Sequence, residues 1–285
     1  MGAQIRITMK EDGSYYLIIE AKKAQKHYFA DLYRYKELLL FLAWRDVLVR
    51  YKQAFFGVAW GVFRPLLSII AFTFIFGRIA GFPSNEVYYP LFVLAGMLPW
   101  LFISNNVLDT CQGLVNNAPL VSKVYFPRMI IPMAQVLMNL VDFFVSVILI
   151  LIMGIVTHSF NWLTFLTLPL WITLMILLST GVGLWLSSLT VLYRDIRLLV
   201  PFFVQFGMFI SPIGYSFAII PEKWQLLYSL NPLVGIINGF RWAFFGIVDP
   251  LFVPSVIIAL FVTGALLISG FNFFRNMENT FADTI

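Results

Sequence analysis

Long apolar stretches separated by short polar segments make up most of the chain from about residue 57 onward. A helix needs about 20 apolar residues to cross a bilayer core of about 30 Å, and six stretches reach that length. They lie at approximately 57–80, 87–110, 129–157, 162–192, 198–220 and 250–274. The pattern predicts an all-α polytopic membrane protein whose transmembrane domain, 57–274, has six transmembrane helices.

A further stretch, 224–248, is apolar but contains Asn231-Pro232, Asn238 and Arg241. In a lipid-exposed span these polar groups would lack hydrogen-bond partners. We therefore predict that this stretch forms short outside-facing or re-entrant helices between the fifth and sixth spans, broken at Asn231-Pro232.

The first 56 residues are polar and charged and are predicted to form a cytoplasmic segment, partly extended around 15–19. Residues 31–52 have helical periodicity, with basic side chains along one edge: Arg34, Arg45 and Lys52. The apolar positions on the neighbouring face are Tyr33, Leu40, Trp44, Val47, Leu48 and Tyr51. This pattern is typical of an amphipathic helix in the membrane surface, with its cations toward lipid headgroups. The alternative is a soluble helix that packs on a partner protein, and the two interpretations do not exclude each other.

Composition excludes a soluble domain. Of the 285 residues, 60% are hydrophobic and 12% charged, whereas soluble domains are about 25% charged. A single cysteine, Cys111, excludes an intramolecular disulfide framework, and the two histidines are far apart in the sequence. The chain has no phosphate-binding loop of the G-x-x-x-x-G-K-[ST] type and no hydrolase or metalloprotease motif. These absences argue against an enzyme and predict no metal or cofactor in this chain. The energy for any uphill transport would have to come from a partner or an ion gradient.

The charges indicate the orientation. With six spans and the N-terminus inside, 16 of the 19 Lys and Arg residues fall in inside segments, as the positive-inside rule requires. This asymmetry explains the net charge of +5 without a nucleic-acid partner. Both termini, including the tail 275–285, are predicted to be cytoplasmic.

Two features within the spans could carry function or only structure. Asp142 lies near the middle of the third span, where a carboxylate is either a proton or substrate site or is held by a neighbouring helix. Small residues at four-residue spacing, such as Gly235 and Gly239, allow close helix packing within one chain or between two.

Aromatic side chains are dense in the first and fifth spans, where they serve packing or line a path for a sugar chain. They include Trp60, Phe63, Phe72, Phe74, Phe202, Phe203, Phe206 and Phe209.

Several short motifs together resemble the permeases of polysaccharide-export ABC transporters. The closest subgroup is the O-antigen exporter (Wzm-like) permeases, and capsule and teichoic-acid permeases are near relatives. The motifs occur in family order at 42–53, 57–61, 64–65, 96–100, 120–128, 193–195, 211–212, 228–232, 239–242 and 281–283.

The resemblance implies a six-span subunit that pairs as a homodimer in the bacterial inner membrane and binds two cytoplasmic ATPase subunits, which hold ATP and Mg. It implies an aromatic-lined channel for undecaprenyl-diphosphate-linked polysaccharide, whose diphosphate would meet the basic edge of 31–52. The implied ATPase-coupling residues are Leu120, Val121, Lys123, Tyr125, Arg194 and Asp195. The implied periplasmic gate residues are Trp224, Tyr228, Asn231, Pro232, Arg241 and Trp242.

Three other functions are compatible with the residues: export of capsule, teichoic acid or another lipid-linked substrate, a membrane-embedded glycan-processing enzyme, and a membrane scaffold for a cytoplasmic partner. The lack of clustered acids or a metal motif argues against the enzyme.

Overall fold

The computed structural model describes residues 2–9, 15–23, 28–52, 60–84, 87–278 and 280–281. For 2–9, 15–23, Phe29 and Trp60 it describes the backbone. From Tyr28 onward the regular structure in these residues is helical. The α-helices are α1 Tyr28–Arg34, α2 Lys36–Lys52, α3 Trp60–Phe72, α4 Tyr89–Asn116, α5 Ala118–Lys123, α6 Ile130–Val156, α7 Trp162–Phe165, α8 Leu168–Leu192, α9 Ile196–Ile210, α10 Glu222–Tyr228, α11 Pro232–Phe245 and α12 Phe252–Met277.

A β-hairpin precedes the helices and adds to the predicted all-α architecture. Strands β1 Gly2–Met9 and β2 Tyr15–Lys23 pair antiparallel. Ile5 lies opposite Ile19 and Ile7 opposite Leu17, and the register shifts between Gly2 and Gln4. The sequence pattern had indicated extended backbone around 15–19 but no partner strand.

Among the described residues, five helices are long and apolar enough to cross a membrane. They are Gly61–Ile79, which continues α3 through a π-helical turn at Thr73–Ile79, and α4, α6, α8 and α12. The chain is therefore a polytopic membrane protein.

The predicted fifth span differs from the observed helix. Residues 198–220 were expected to be helical throughout, but α9 ends at Ile210. Its 15 residues span only about 22 Å at 1.5 Å per residue. The cause is local: a residue that precedes proline avoids the helical region, and Ser211, before Pro212, is extended with φ −93° and ψ 146°.

Close helix contacts inside the chain use the small residues. A Cβ on Gly239 would lie 2.1 Å from the Trp171 ring, and one on Gly235 would lie 2.4 Å from the backbone oxygen of Ser255. Such approaches are possible only without a side chain. Of the two interpretations that the spacing left open, these glycines therefore serve packing within one chain.

The central helix of the bundle is α4, which packs on α6, α8 and α11. A buried hydrogen bond from Asn106 to Ser179, 3.0 Å long, joins α4 to α8. Because buried amides must be paired to be tolerated, this contact also helps to fix the register of the two helices.

Candidate functional site

Helix α2 runs alongside the first half of α6, and matched polar pairs join them. Gln135 donates to Asp46 over 2.9 Å. Further along both helices, Arg50 donates to Asn139 over 3.1 Å and to Asp142 over 2.6 Å. Because the partners advance together, the two helices lie side by side in the same direction.

Arg50 also reaches α4 and so joins three helices. One guanidinium nitrogen, Nη2, donates to Asp109 Oδ2 over 2.7 Å, while Nη1 contacts Asp142. Asn139 donates to the same Asp109 oxygen over 2.9 Å. Burial opposes the charge on Arg50, but the two carboxylates outweigh it and raise the pKa of the guanidinium above its ordinary value. We call Arg50, Asp109, Asn139 and Asp142 the Arg50 cluster.

The Arg50 cluster explains the carboxylate within the third predicted span. Asp142 is ion-paired across helices, which matches the structural alternative for this residue. Sequence reasoning did not single out Arg50. A signal was available, since an acid within a span requires a nearby cation, but the sequence offered no way to choose among the basic residues of α2.

The predicted basic edge of 31–52 falls on two helices, since Arg34 ends α1 whereas Arg45 and Lys52 lie on α2. Arg45 is committed within the protein: it pairs with Asp46 at 2.7 Å and donates to Asn117, just before α5, over 2.8 Å. Arg34 and Lys52 are exposed. Only these last two are free to meet a headgroup in this conformation.

The other face of α2 is apolar and exposed. Leu40, Trp44 and Leu48 are 60%, 62% and 41% exposed, whereas Leu42 and Ala43 are buried against the protein. Most of the predicted apolar face is thus turned away from the bundle, whereas Val47 is half-buried and Tyr51 lines the cavity between α2 and its neighbours.

A partly open cavity of about 480 Å³ lies beside the Arg50 cluster, between α2, α3, α4 and α6. Its lining combines the charged and polar residues Arg50, Arg64, Asn105, Asp109, Asp142 and Ser146 with apolar ones such as Leu101, Phe102 and Phe143. Arg64 is exposed and donates over 3.5 Å to Asn105. The Oδ1 atom of Asp142 is buried and lacks a hydrogen-bond partner among the described residues.

The aromatic residues of α9 form an exposed face. Phe202, Phe203, Phe206 and Phe209 are 57–66% exposed. Phe202 contacts both Phe203 and Phe206 at centroid distances of 6.0 and 5.7 Å. The described bundle leaves this face uncovered.

The predicted aromatic residues of the first span do not all behave alike. Phe63 and Phe74 are exposed, but Phe72 is only 8% exposed and packs with Val93 and Met97. Phe72 is therefore not available to line a channel in this conformation, because its position on the helix turns it toward α4. The side chain of Trp60 lies outside the described residues.

The predicted coupling residues lie at one end of the bundle. Val121 is buried and anchors α5, and Leu120 is partly buried against the same cluster. Lys123 and Tyr125 are exposed, as are Arg194 and Asp195 in the turn before α9.

The buried cluster that contains Val121 of α5 also includes residues from the first and last α-helices, α1 and α12. It includes Tyr28 of α1 and Phe274 of α12, which contacts Phe281. Glu278 Oε1 accepts a 2.7 Å hydrogen bond from the backbone N–H of Arg128. Burial raises the pKa of the Glu278 carboxyl, partly opposed by hydrogen bonds from Arg128 and Tyr28.

At the segment 222–245, two helices flank the predicted break. Asn231 caps α11 by accepting from the N–H of Leu233 over 3.0 Å, with Pro232 in the first turn. The hydroxyls of Tyr228 and Tyr215 are 2.8 Å apart. Trp224 is 52% exposed.

Helix α11 is a packed part of the bundle. Trp242 stacks edge-on with Trp171. Arg241 is fully buried, and its Nη2 donates to the carbonyls of Pro212 and Ile213 over 2.7 and 3.0 Å. Its guanidinium lies 3.6 Å from the centre of the Phe92 ring. Arg241, one of the residues that argued against a lipid-exposed span, thus donates hydrogen bonds to backbone carbonyls of the segment just after α9.

Residues 37–245 match the family described as "ABC-2 type transporter". The chain is similar to the O-antigen export system permease protein RfbA of Klebsiella pneumoniae, with 27% identity over 87% of this chain and 95% of that one. The RfbA protein of Myxococcus xanthus is 25% identical over 90% and 98% of the two chains. The polysialic acid transport protein KpsM of Escherichia coli is 26% identical over 70% and 78%.

Proposed function

Since this chain belongs to the ABC-2 type transporter family, we propose that it is the channel-forming transmembrane subunit of an ABC transporter that exports undecaprenyl-linked O-antigen polysaccharide across the bacterial inner membrane. ATP would be hydrolysed by a separate cytoplasmic ATPase subunit. The observation that carries the proposal is the similarity to O-antigen export permeases over 95% and 98% of their lengths. The likeness therefore concerns the whole subunit.

The exposed aromatic face of α9 supports a homodimer with a channel between its two copies. Phe rings at 57–66% exposure would stack on the C–H faces of sugars while hydroxyl groups stay hydrated. Phe63 and Phe74 of the first span would complete this lining. In this arrangement α9 and the segment 211–220 together act as the fifth of six spans, with both termini cytoplasmic.

The α5 end supports the docking of the ATPase. Lys123, the last residue of α5, and Tyr125, just after the helix, are exposed, while buried Val121 fixes the inner side of α5. A rigidly anchored helix with an exposed face transmits a push from a partner better than a loop does. Arg194 and Asp195 would provide a second contact.

The other end supports an outer gate formed by α10 and α11, re-entrant on the periplasmic side. Asn231 and Pro232 separate the two helices, and Arg241 holds α11 to the end of α9. Trp224 and Tyr228 on α10 would contact the emerging chain, while Trp242 packs inside.

The lipid end of the substrate would approach the amphipathic helix α2. Its exposed apolar face, with Trp44 and Leu48, suits a position in the inner leaflet. The exposed Arg34 and Lys52 would attract the diphosphate, whereas Arg45 serves the contact with Asn117.

A deletion strain tests the function. Loss of surface polysaccharide with accumulation of undecaprenyl-linked chains in the cytoplasm is the expected result. Loss without accumulation would indicate a biosynthetic role and would overturn the proposal. Complementation with the wild-type gene is the control.

Capsule export is a second candidate, because the polysialic acid transport protein is 26% identical over 205 residues. The chemical identity of the accumulated glycan in the same strain decides between the two. Teichoic acid would be recognised by its polyol phosphate content.

A further inference from the structure

The cavity beside the Arg50 cluster has a donor and an acceptor that the fold does not use fully. Arg64 can donate five hydrogen bonds, and the structure gives it a single 3.5 Å contact to Asn105. The buried Asp142 Oδ1 lacks a partner among the described residues, although the other oxygen of the same carboxylate is bound by Arg50. Both groups line the same space.

The charges of the lining favour a neutral ligand. Arg50 and Arg64 are balanced by Asp109 and Asp142, so the described lining has no net charge. A diphosphate placed here would meet two carboxylates as well as two guanidinium groups, so it would gain no net electrostatic attraction from the lining. A hydroxyl group, in contrast, donates to a carboxylate oxygen and accepts from a guanidinium at the same time.

Size and apolar lining fit a sugar ring. The cavity volume of about 480 Å³ lies within the usual range of small-ligand sites, roughly 300–1,000 Å³. Leu101, Phe102 and Phe143 bring apolar atoms beside the polar groups. A pyranose needs this combination, since it presents C–H surfaces as well as hydroxyls.

Resting on the proposed export function, we propose that this cavity binds the sugar residue next to the lipid diphosphate, with Arg64 and the Asp142 Oδ1 atom as its hydrogen-bond partners. The exposed Lys52 follows Arg50 by two residues on α2. Residues two apart on a helix point in different directions, so Lys52 lies outside the cavity lining and would offer the diphosphate a cation on another face of α2. The transporter would thus distinguish a glycan-loaded lipid from the bare lipid carrier before transport begins.

Thiol protection in the complete transporter tests this assignment. The permease carrying Leu101→Cys, at a half-buried position that lines the cavity, is reconstituted with its ATPase partner in phospholipid vesicles, and the rate of maleimide labelling is measured. The native Cys111 is buried and gives a low background. Thr157→Cys, at an exposed position outside the cavity lining, is the control.

Two probes are compared: undecaprenyl diphosphate, and the glycan-linked lipid extracted from export-deficient cells. At nine-tenths occupancy the glycan-linked lipid should slow labelling at position 101 about tenfold, by mass action. It should not slow labelling at position 157, and undecaprenyl diphosphate should slow neither. ATPase stimulation is recorded in the same vesicles.

Each of the other outcomes overturns either the sugar assignment, the cavity assignment or the export function. Equal protection by both lipids would mean that the cavity binds the diphosphate, and the sugar assignment would be wrong. Stimulation of the ATPase by the glycan-linked lipid without protection would exclude the cavity while leaving the export function intact. Neither stimulation nor protection would overturn the export function and this inference together.

Discussion

Replacing Arg50 with methionine removes the cation that Asp109 and Asp142 share. Breaking a fully buried ion pair in this way costs about 3–5 kcal/mol, whereas an exposed pair contributes about 0–1 kcal/mol. Here the three side chains are 22–30% exposed. We therefore expect Arg50→Met to destabilise the protein by about 2 kcal/mol, between these limits.

The assay is thermal unfolding of the purified protein in detergent, followed by size-exclusion chromatography at one heating rate, since irreversible melts depend on that rate. About 2 kcal/mol corresponds to a fall in Tm of about 4 °C for a chain of this size. Arg64→Met is the matched control. That arginine lines the same cavity but makes a single 3.5 Å contact, so its loss should change Tm by less than about 1 °C.

A double-mutant cycle shows whether the ion pair is the cause. Asp142→Asn removes the charge that Arg50 neutralises, so the combined variant should be more stable than the sum of the two single effects predicts. If the effects add to within about 0.5 kcal/mol, Arg50 and Asp142 do not interact energetically, and the cluster does not hold α2 to the bundle. Arg50→Lys should rescue only in part, because an ammonium cannot bridge two carboxylates as a planar guanidinium does.

Three further predictions concern packing, pH dependence and the aromatic face. Gly239→Ala should lower Tm by several degrees, because the new Cβ would overlap the Trp171 ring. Gly264→Ala is the control and should leave Tm unchanged, since no atom lies within 4 Å of its Cβ. Equal Tm values for the two variants would refute the close packing at Gly239. Burial raises the pKa of Glu278, so the folded state binds more protons than the unfolded state, and stability should fall as pH rises above about 4.5. Glu278→Gln should reduce the pH dependence of Tm, measured in a series of buffers of increasing pH. An unchanged pH dependence would exclude Glu278 as its cause. Phe72→Ala should destabilise the protein by about 3–5 kcal/mol, because the Phe72 ring is buried. Phe203→Ala should reduce surface polysaccharide with little change in Tm. The reverse pattern would contradict the assignment of Phe72 to the core and of Phe203 to the channel lining.

Local rules accounted for much of the fold. The position of each long helix followed from apolar length, and the division of 224–248 into two helices followed from the Asn231-Pro232 break. The early end of α9 was also predictable, since Ser211 precedes Pro212, but an apolar run continuing to residue 220 concealed it. Apolar length alone does not distinguish a helix from an extended segment.

Features that depend on the mutual placement of helices could not be predicted in the same way. Phe72 and Phe74 are two residues apart in one aromatic run, yet the first is 8% and the second 56% exposed. Which face of α3 meets α4 depends on the packing of both helices. Likewise, the partner of Asp142 lies 92 positions away in the sequence, and any of several basic residues could have filled that role.

The contacts of α2 suggest how a movement at the ATPase end would reach the substrate cavity. Arg45 joins α2 to Asn117 at the start of α5, and one turn further along, Arg50 joins the same helix to α4 and α6. Under the proposed function, α5 moves with the ATPase. A displacement of α5 would then shift α2 through Arg45, and the charges that line the cavity would shift with Arg50. Because both contacts lie on one continuous helix, ATP binding and the grip on the phosphate-proximal sugar would be coupled without any change in α9 itself.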